Sequence, residues 1–392
     1  MLLLIVPVAL ATVVGLFVLW PSGEPTRAQQ AADTYLPPGT TYPEGQVVSV
    51  EAYECGGDTA PQPLQCATAV VEVLDGDGAG DFQQIDLTAD VVAAGVEKGD
   101  VLVLTRDAGA EGGPTYGFFD YARGTPIVVL AIAFAVVVGL VARLRGLASL
   151  LGLAFAFFML FRFVLPGLLS EESPTLVSLV GSAAIMFVVL YLAHGFSART
   201  TTALVGTLFG LTLVAVMGSV AVSVARLTGL TSEETLQLQS YDPTLNFSGL
   251  VLAGVVVAGL GVLNDVTITQ ASAIWQLREV SPELSWRELF SRGMAVGRDH
   301  IASTVYTIVF AYAGAALPLL LLFELYSQPF LVSLFSSAVA EEVIRTLVGA
   351  IALVLAVPLT TAVGAFFATA ADTAVGTATD RRMTALRARF AR

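Results

Sequence analysis

The chain has 392 residues, of which 55% are hydrophobic and only 13% are charged, whereas soluble proteins have about 25% charged residues. Several apolar runs reach the roughly 20 residues that a helix needs to cross a bilayer. This composition excludes a single soluble domain, a fibrous chain and a disordered chain. The net charge of −13 also disfavours nucleic-acid binding, because an acidic protein repels phosphate.

The first 20 residues form an apolar run that ends at Pro21. The run lacks a basic flank and a small-residue cleavage site, so residues 1–20 are predicted to be a transmembrane anchor in preference to a signal peptide. Residues 21–44 are rich in Pro, Ala, Gln and Thr and are predicted to be a linker.

The negative charge is concentrated in one polar segment. Residues 21–125 contain 17 of the 32 acidic side chains and only 4 of the 19 basic ones. The remainder of the chain is neutral overall. An acidic surface of this kind keeps a domain soluble, and attraction of cations is the alternative interpretation.

From residue 45 to residue 107 the pattern changes to short β-branched runs separated by Gly- and Asp-rich turns. This pattern predicts a small external all-β domain, a barrel or a sandwich, inserted after the first helix. Residues 108–124 are predicted to lead back to the membrane. The four predicted strands are residues 47–53, 67–74, 82–87 and 101–105.

The only two cysteines of the chain, Cys55 and Cys66, both lie in this domain. In an oxidising compartment their hairpin-like spacing predicts a disulfide. Free buried thiols are the alternative. Two thiols are too few for a metal site, and no metal site is predicted.

Seven further apolar segments are predicted within residues 126–371, followed by a basic tail at 372–392. With the anchor, they predict an all-α polytopic membrane protein of about eight transmembrane helices that carries the β-domain. The seven segments begin at about Pro126, Leu147, Pro174, Thr202, Phe247, Ile301 and Val343.

The distribution of arginines predicts the orientation of these spans. If the β-domain is outside, the outer loops 170–174, 226–246 and 324–342 contain one basic residue, Arg226. Both termini are then predicted to be cytoplasmic. The inner side receives Arg143, Arg145, Arg199, Arg278, Arg287, Arg292, Arg298, Arg381, Arg382, Arg387, Arg389 and Arg392.

The longest apolar segment, residues 248–277, carries a polar stripe in its second half. Asp265, Thr269, Ser272 and Gln276 are spaced so that they share one helical face. Polar groups are costly inside a membrane, so the stripe predicts a cation or proton relay, or a polar-substrate site. The alternative is that Asp265 lies at the cytoplasmic interface and caps a helix or pairs with an arginine. The predicted path residues are Asn264, Asp265, Thr269, Gln270 and Ser272.

The next segment opens with Arg298, Asp299 and His300, followed by hydroxyl residues on the same face as His300. In the predicted topology it enters from the side where the preceding span ends, so the two polar stripes are expected to meet. Arg298, Asp299 and His300 are therefore predicted to gate the path or to relay protons. A solvated histidine at the interface is the alternative.

Two other polar features flank these spans. Glu341 and Arg345 have the i, i+4 spacing of a helical ion pair, predicted at the outer end of the last span. Residues 281–294 are predicted to form a short amphipathic cytoplasmic helix, begun by a capping box at Ser285 and Glu288. This helix is expected to lie on the inner membrane surface or to dock a partner.

Three stretches resemble the YibE/F-like family of bacterial multi-pass membrane proteins. They are GLGVLNDVTITQASAIWQL at 259–277, GRDHIASTVYTIVFAYAGAALPLLLLF at 297–323 and EEVIRTLVGAIALVLAVPLTTAVGAFF at 341–367. The resemblance covers residues 126–370 and implies a bacterial inner-membrane protein with an N-terminal anchor and an external β-module. The family positions fall on Asp265, Asp299, Glu341 and Arg345.

These features predict an ion-coupled permease for an ion or a small polar solute, embedded in the lipid bilayer. The alternative is a non-transporting scaffold that binds protein partners, or further copies of itself, through the β-domain and the 281–294 helix. Walker, HExxH, Gly-x-Ser-x-Gly and Cys/His metal motifs are absent from the sequence. No enzyme activity or cofactor is therefore predicted. An intramembrane enzyme that uses Asp265 and Asp299 is the third alternative.

Overall fold

A computed structural model describes residues 2–35, 39–56, 64–109, 113–170, 172–325 and 329–390. Within these ranges it describes the side chains of all residues except 2–4, 323 and 371–390. The protein is 69% helical and carries a small N-terminal antiparallel β-domain. It divides into two compact units. The membrane unit comprises Met1–Ala28 and Val141–Arg392, and the β unit comprises Gln29–Leu140.

The N-terminal third of the chain contains two helices, α1 and α2, followed by the strands of the β unit and one short helix. These elements are α1 (Leu2–Val18), α2 (Arg27–Asp33), β1 (Glu44–Glu54), β2 (Gln65–Val73), β3 (Phe82–Leu87), α3 (Ala89–Ala93), β4 (Val101–Asp107) and β5 (Thr115–Tyr121).

The remainder of the described chain is helical. A π-helical turn, Leu160–Val164, lies between the fourth and fifth helices. The helices are α4 (Gly124–Met159), α5 (Leu165–Leu168), α6 (Pro174–His194), α7 (Ala198–Val224), α8 (Glu233–Tyr241), α9 (Phe247–Val280), α10 (Trp286–Ala315), α11 (Leu317–Leu325), α12 (Phe330–Leu334) and α13 (Ser337–Phe390).

Five helices of the described chain are long and apolar enough to cross a membrane: Gly124–Leu168, Pro174–His194, Ala198–Val224, Phe247–Val280 and Ser337–Ala370. The sequence predicted eight, and the difference has three local causes. The predicted anchor forms a shorter apolar helix, Ile5–Val18. The segments predicted from Pro126 and Leu147 lie in one continuous stretch. The apolar half of α10 is only 15 residues long, because the helix ends at Ala315.

The long stretch Gly124–Leu168 is interrupted at one residue. Arg143 leaves helical geometry, with φ 53° and ψ −135°. A non-glycine residue with positive φ is uncommon, so the helix is kinked there. The kink coincides with the Arg-containing loop that the sequence predicted between two spans. The last helix, α13, continues through the predicted basic tail as far as Phe390. The basic side chains predicted for that tail, from Arg381 to Arg392, lie outside the described residues.

The prediction of a separate amphipathic helix at 281–294 is wrong. Residues 286–294 are the first part of the continuous 30-residue helix α10. The predicted capping box is present. The Ser285 hydroxyl accepts from the Glu288 N–H, and the Glu288 carboxylate accepts from the Ser285 N–H at 2.9 Å. Hydrogen bonds from the side chain and backbone of Ser285 lower the pKa of Glu288. The box therefore fixes where α10 begins.

The core of the membrane unit forms where α7, α9 and α13 pack together. Small residues allow the close approach of these helices. A Cβ placed on Gly210 of α7 would meet the side chain of Leu263, and one on Gly218 would meet Leu252. The helix α1 joins the same unit by packing Gly15 against Val180 of α6.

The β unit is a five-stranded antiparallel sheet with the order β3-β2-β1-β4-β5. The bulge between Val47 and Ser49 bends β1, which pairs with β2 along its length and with β4 at its start. The outer strands β3 and β5 pack against each other, and α3 lies between β3 and β4 in the chain. The outer strands are close in space, and no backbone pairing between them is found over the described residues.

The strand β5 and the helix α3 were not predicted from the sequence. The domain consequently extends beyond residue 107, to Tyr121. The Tyr121 hydroxyl donates to the Val91 carbonyl at 3.1 Å and so ties β5 to α3. Burial raises the pKa of that hydroxyl. The β-unit core comprises Val47, Ala67, Ala69, Val71, Val73, Ile85, Leu87, Val91, Leu102 and Leu104.

Candidate functional site

The predicted polar stripe of α9 lies on the face of the helix that the rest of the described chain leaves uncovered. Asp265, Thr269 and Gln276 are exposed, and Ser272 is half-buried. The Asp265 carboxylate makes no hydrogen bond or ion pair with any described residue. The opposite face of α9 supplies the core. The stripe thus shares one face, and that face is separate from the packed interior.

Gln270, which was predicted to line the path, lies in the packed interior instead and is 2% exposed. Its amide donates to the Gly293 carbonyl of α10 at 2.9 Å and to the Thr361 hydroxyl of α13 at 2.7 Å. Thr361 in turn donates to the Val357 carbonyl of its own helix. One side chain of α9 therefore joins three helices, and both of its amide hydrogens are used.

A second buried polar contact joins α7 to α9. The hydroxyls of Thr207 and Thr267 are 2.7 Å apart, and both residues are fully buried. The sequence analysis did not single out this pair. Gly206, beside Thr207, was a possible signal, since a Cβ at that position would collide with the Thr360 hydroxyl of α13. The polar interior of the bundle is thus formed by short hydroxyl side chains.

The predicted gating residues are divided between two environments on α10. Arg298 and Asp299 are exposed. His300 is half-buried, and its Nε2 atom is buried without a hydrogen-bond partner in the described chain. Asn264 Oδ1 of α9 has the same status. Since α10 packs against α9, the two polar stripes lie on neighbouring helices, but no hydrogen bond or ion pair joins Asp265 to His300 among the described residues.

The ion pair predicted for Glu341 and Arg345 is formed by a different carboxylate. Arg345 Nη1 lies 2.7 Å from Glu342 Oε1, an i, i+3 contact. Glu341 is buried, and it accepts hydrogen bonds from the Gly229 N–H at 3.2 Å and from the Thr231 hydroxyl at 2.9 Å. Because these two donors use both oxygens of Glu341, Arg345 pairs with Glu342 instead.

The Glu342–Arg345 pair lies in the first turns of Ser337–Ala370, a helix long and apolar enough to cross a membrane. Both side chains are about one-third exposed, at 32% and 27%. The guanidinium extends over α9, where a Cβ on Gly254 would lie 3.8 Å from Arg345 Nη2. Arg345 Nε is buried without a partner in the described chain. The pair is therefore only partly satisfied by the residues around it.

Glu341 holds the loop that follows α7. This helix ends in a Schellman motif, in which Leu227 donates to the Val222 carbonyl and Arg226 donates to the Ser223 carbonyl. The motif places Arg226 in the left-handed region, with φ 51°. Gly229 follows with φ 74° and packs against the backbone of Phe247 at the start of α9.

Two adjoining cavities open at this end of the membrane unit, with volumes of about 660 and 710 Å³. Thr175, Leu245 and Asn246 line both cavities. The first cavity contains charged side chains of both signs, and the second contains one charged residue, Arg226. The sequence analysis did not predict either cavity, although it identified Arg226 as the single basic residue of the predicted outer loops.

The two cysteines lie at the base of the β1–β2 connection. Cys55 and Cys66 form a disulfide there, with Cα atoms 5.6 Å apart. Over the described parts of both units, no group of three or more His, Cys, Asp or Glu side chains is arranged to hold a metal ion.

Comparison with known proteins gives one match. The family model described as YibE/F-like protein matches residues 130–370, which is more than half of the chain. The match contains the predicted path and gating residues and the Glu342–Arg345 pair. It also contains the loops before α6 and after α7, which line the cavities. No curated protein and no solved structure matches the chain. The chain belongs to the YibE/F-like family.

Proposed function

We propose that the protein is an ion-coupled permease for an ion or a small polar solute. The observation that carries the proposal is the half-buried Glu342–Arg345 pair in the first turns of α13, beside the helix that presents Asp265. The permease hypothesis thus rests on charged groups of two helices that pack together.

Charged side chains within a membrane span are expensive and are retained where they serve a pathway. Each of them needs a counter-charge, a hydrogen-bond partner or water. Arg345 Nε and His300 Nε2 have no such partner in the described chain, and Asp265 has none for its carboxylate. A hydrated path along this side of α9 solvates the exposed Asp265 carboxylate, whereas Arg345 Nε and His300 Nε2 are buried beside it.

In this proposal Asp265 binds the coupling proton or cation, and Thr269 and Ser272 line the path beside it. Asn264 borders the path. Gln270 acts as a positioning residue, because its amide already holds α10 and α13. Arg298, Asp299 and His300 gate the cytoplasmic mouth. We propose an ion gradient as the driving force, since the sequence contains no nucleotide-binding motif.

The proposed location is the bacterial inner membrane, with the β unit outside and both termini in the cytoplasm. Two features support this orientation: with the eight spans predicted from the sequence, the arginines are concentrated in the loops assigned to the inside, and the disulfide is compatible with an oxidising compartment.

Proton flux into liposomes tests the proposal. The full chain is reconstituted with a pH-sensitive dye inside, a potassium gradient with valinomycin sets the membrane potential, and single inorganic ions, amino acids and carboxylates are added outside. We expect wild-type protein to acidify the vesicles faster than protein-free liposomes do with at least one solute. Asp265→Asn is expected to reduce that rate at least tenfold, because the amide cannot take up the proton.

Glu279→Gln is the matched control, since Glu279 is an exposed carboxylate in the last turn of the same helix. It should retain the wild-type rate. A wild-type rate equal to that of empty vesicles with every solute, or an unchanged rate in Asp265→Asn, overturns the proposal of a proton-coupled permease.

A scaffold is the second candidate, favoured by the buried polar contacts of Gln270 and of the Thr207–Thr267 pair. In these contacts both amide hydrogens of Gln270 and the hydroxyls of Thr207 and Thr267 have partners within the bundle. A scaffold predicts that proton flux is absent and that Asp265→Asn leaves binding to protein partners unchanged. The same liposomes therefore separate the two functions.

A further inference from the structure

We propose that the cavity beside Arg226 is a binding site for an anionic group. This cavity has a volume of about 710 Å³ and lies between the end of α7, the start of α9 and Thr175 of α6. The inference deepens the proposed function by naming an anion as the solute class, and only that step depends on the permease hypothesis. Anion binding itself rests on the geometry of the cavity.

The charge in this cavity has one sign. Among the described residues that line this cavity, Arg226 is the one charged side chain. The guanidinium forms no ion pair or hydrogen bond with the residues that the structure describes. Arg226 is exposed, so its five N–H donors, arranged in a planar fork that suits carboxylate and phosphate oxygens, are open to a ligand from solvent.

The neutral lining supplies further donors. Ser219 and Ser223 lie on the last turns of α7, one turn apart, and Thr228 follows in the loop. Ser248 also lines the cavity, in the first turn of α9, but its hydroxyl already donates to Asn246 Oδ1, which caps the helix by accepting from the Gly249 N–H. Hydroxyl groups around a guanidinium complete the coordination of an oxyanion.

The backbone holds Arg226 in this position at a cost. Its φ of 51° is the conformation that glycine adopts without strain at the end of a Schellman motif. Glu341 fixes the adjoining loop through Gly229 and Thr231. Because glycine adopts this conformation without strain, a glycine at residue 226 removes the guanidinium without adding backbone strain.

The adjoining cavity is a poorer anion site. It contains the carboxylates of Glu172 and Asp242, and the only guanidinium in its lining, that of Arg27, already has an interaction in the structure. Asp242 is buried there, and it accepts hydrogen bonds from the backbone and the hydroxyl of Thr244. We therefore assign the anion to the cavity of Arg226 alone.

Calorimetric titration of the full chain in neutral detergent tests the site with two probes. Inorganic phosphate represents a free anion, and short-chain phosphatidylglycerol, compared with phosphatidylcholine, represents a lipid headgroup. We expect at least one probe to bind saturably. Saturable phosphate binding identifies a soluble anion as the ligand, and binding of phosphatidylglycerol alone identifies the headgroup.

Arg226→Gly is the decisive variant, because it removes the guanidinium while relieving the backbone. It should unfold at or above the wild-type temperature and bind the probe at least tenfold more weakly. Arg226→Lys should lose part of the affinity, and Arg287→Gln, which removes an exposed arginine of α10, should lose none. The proposal is overturned if neither probe binds saturably, or if Arg226→Gly binds within twofold of wild type.

This readout is independent of transport. Loss of binding in Arg226→Gly leaves the proton flux through Asp265 to be measured separately. If the wild-type protein binds phosphate but conducts no protons, the anion-site proposal stands and the permease proposal is wrong.

Discussion

At the scale of single residues, the loop after α7 shows that the buried Glu341 carboxylate depends on the backbone conformation of Gly229 for a hydrogen-bond donor. Glu341 is 7% exposed, and its oxygens need donors because an unpaired buried charge is costly. The Gly229 N–H supplies one donor, and it reaches Glu341 only because its backbone adopts φ 74° and lies against Phe247. The two residues are 112 positions apart in the chain.

Gly229→Ala tests this arrangement. A Cβ at residue 229 would meet the carbonyl oxygen of Phe247, and positive φ is unfavourable for alanine. We expect the variant to lose about 2 kcal/mol of unfolding free energy, measured by thermal unfolding in detergent.

Gly349→Ala provides the comparison, because Gly349 lies within α13 and a Cβ there would meet nothing within 4 Å. That variant should be neutral or stabilised by up to about 1 kcal/mol. Equal losses in the two variants would show that the loop does not depend on the conformation of Gly229.

The same residues show where prediction from the sequence ends at this scale. The spacing of Glu341, Glu342 and Arg345 allows a pair at i, i+4 or at i, i+3, and both spacings place the side chains on one helical surface. The choice is made by Gly229 and Thr231, which are distant in the sequence. Local spacing therefore predicted that an ion pair forms at Arg345, but not which carboxylate forms it.

At the scale of elements, Gln270 links three helices of the bundle. Its amide connects α9 to the Gly293 carbonyl of α10 and to Thr361 of α13. Gly293 and Gly297 allow this approach, since a Cβ on Gly293 would collide with Ile274 and one on Gly297 with Val357. The position of α10 in the bundle thus depends on small residues on one helix and an amide on another.

Gln270→Ala should reduce the unfolding free energy by about 1–3 kcal/mol, because it leaves the buried Gly293 carbonyl without this donor and opens a cavity between three helices. Thermal unfolding in detergent measures the loss. Gln276→Ala is the matched control on the exposed face of the same helix, and it should change stability by less than about 0.5 kcal/mol. A similar loss in both variants would contradict the role given to Gln270.

Helical periodicity accounts for what could be predicted about these elements. The 3.6-residue repeat placed Asp265, Thr269 and Gln276 on one face, and the structure shows them on the same exposed side. The repeat cannot tell which face packs, so Gln270 was assigned to the path although it lies in the interior. It also cannot show where a helix starts when two segments are continuous, as in α10.

At the scale of the whole molecule, the protein has two units with separate cores. The β-unit core contains Val47, Ile85 and Leu102. It shares no residue with the cores of the membrane unit. Alternation of β-branched residues predicted the first four strands. The fifth strand, Thr115–Tyr121, was missed because Gly117 and the preceding Pro114 are typical of a linker.

Because the cores are separate, removal of the disulfide should affect one unit alone. Cys55 and Cys66 close a loop with a sequence separation of 11, for which loop-closure entropy gives roughly 2–3 kcal/mol. We expect the double variant Cys55→Ser, Cys66→Ser to lose about that amount from the unfolding of the β unit, followed by the far-ultraviolet β signal and by protease resistance of the strands. The helical transition of the membrane unit should stay at its wild-type temperature.

Reductant provides the control for that experiment, because these are the only cysteines in the chain. Wild-type protein treated with reductant should reproduce the shift, and the double variant should not respond to it. If the helical transition moves together with the β transition, the two units unfold as one cooperative body. In that case anion binding at Arg226 would also depend on the state of the disulfide, since any loss of β structure would then reach the cavity between α7 and α9. Independent transitions would instead mean that the β unit can unfold or change its redox state while the membrane unit keeps its fold.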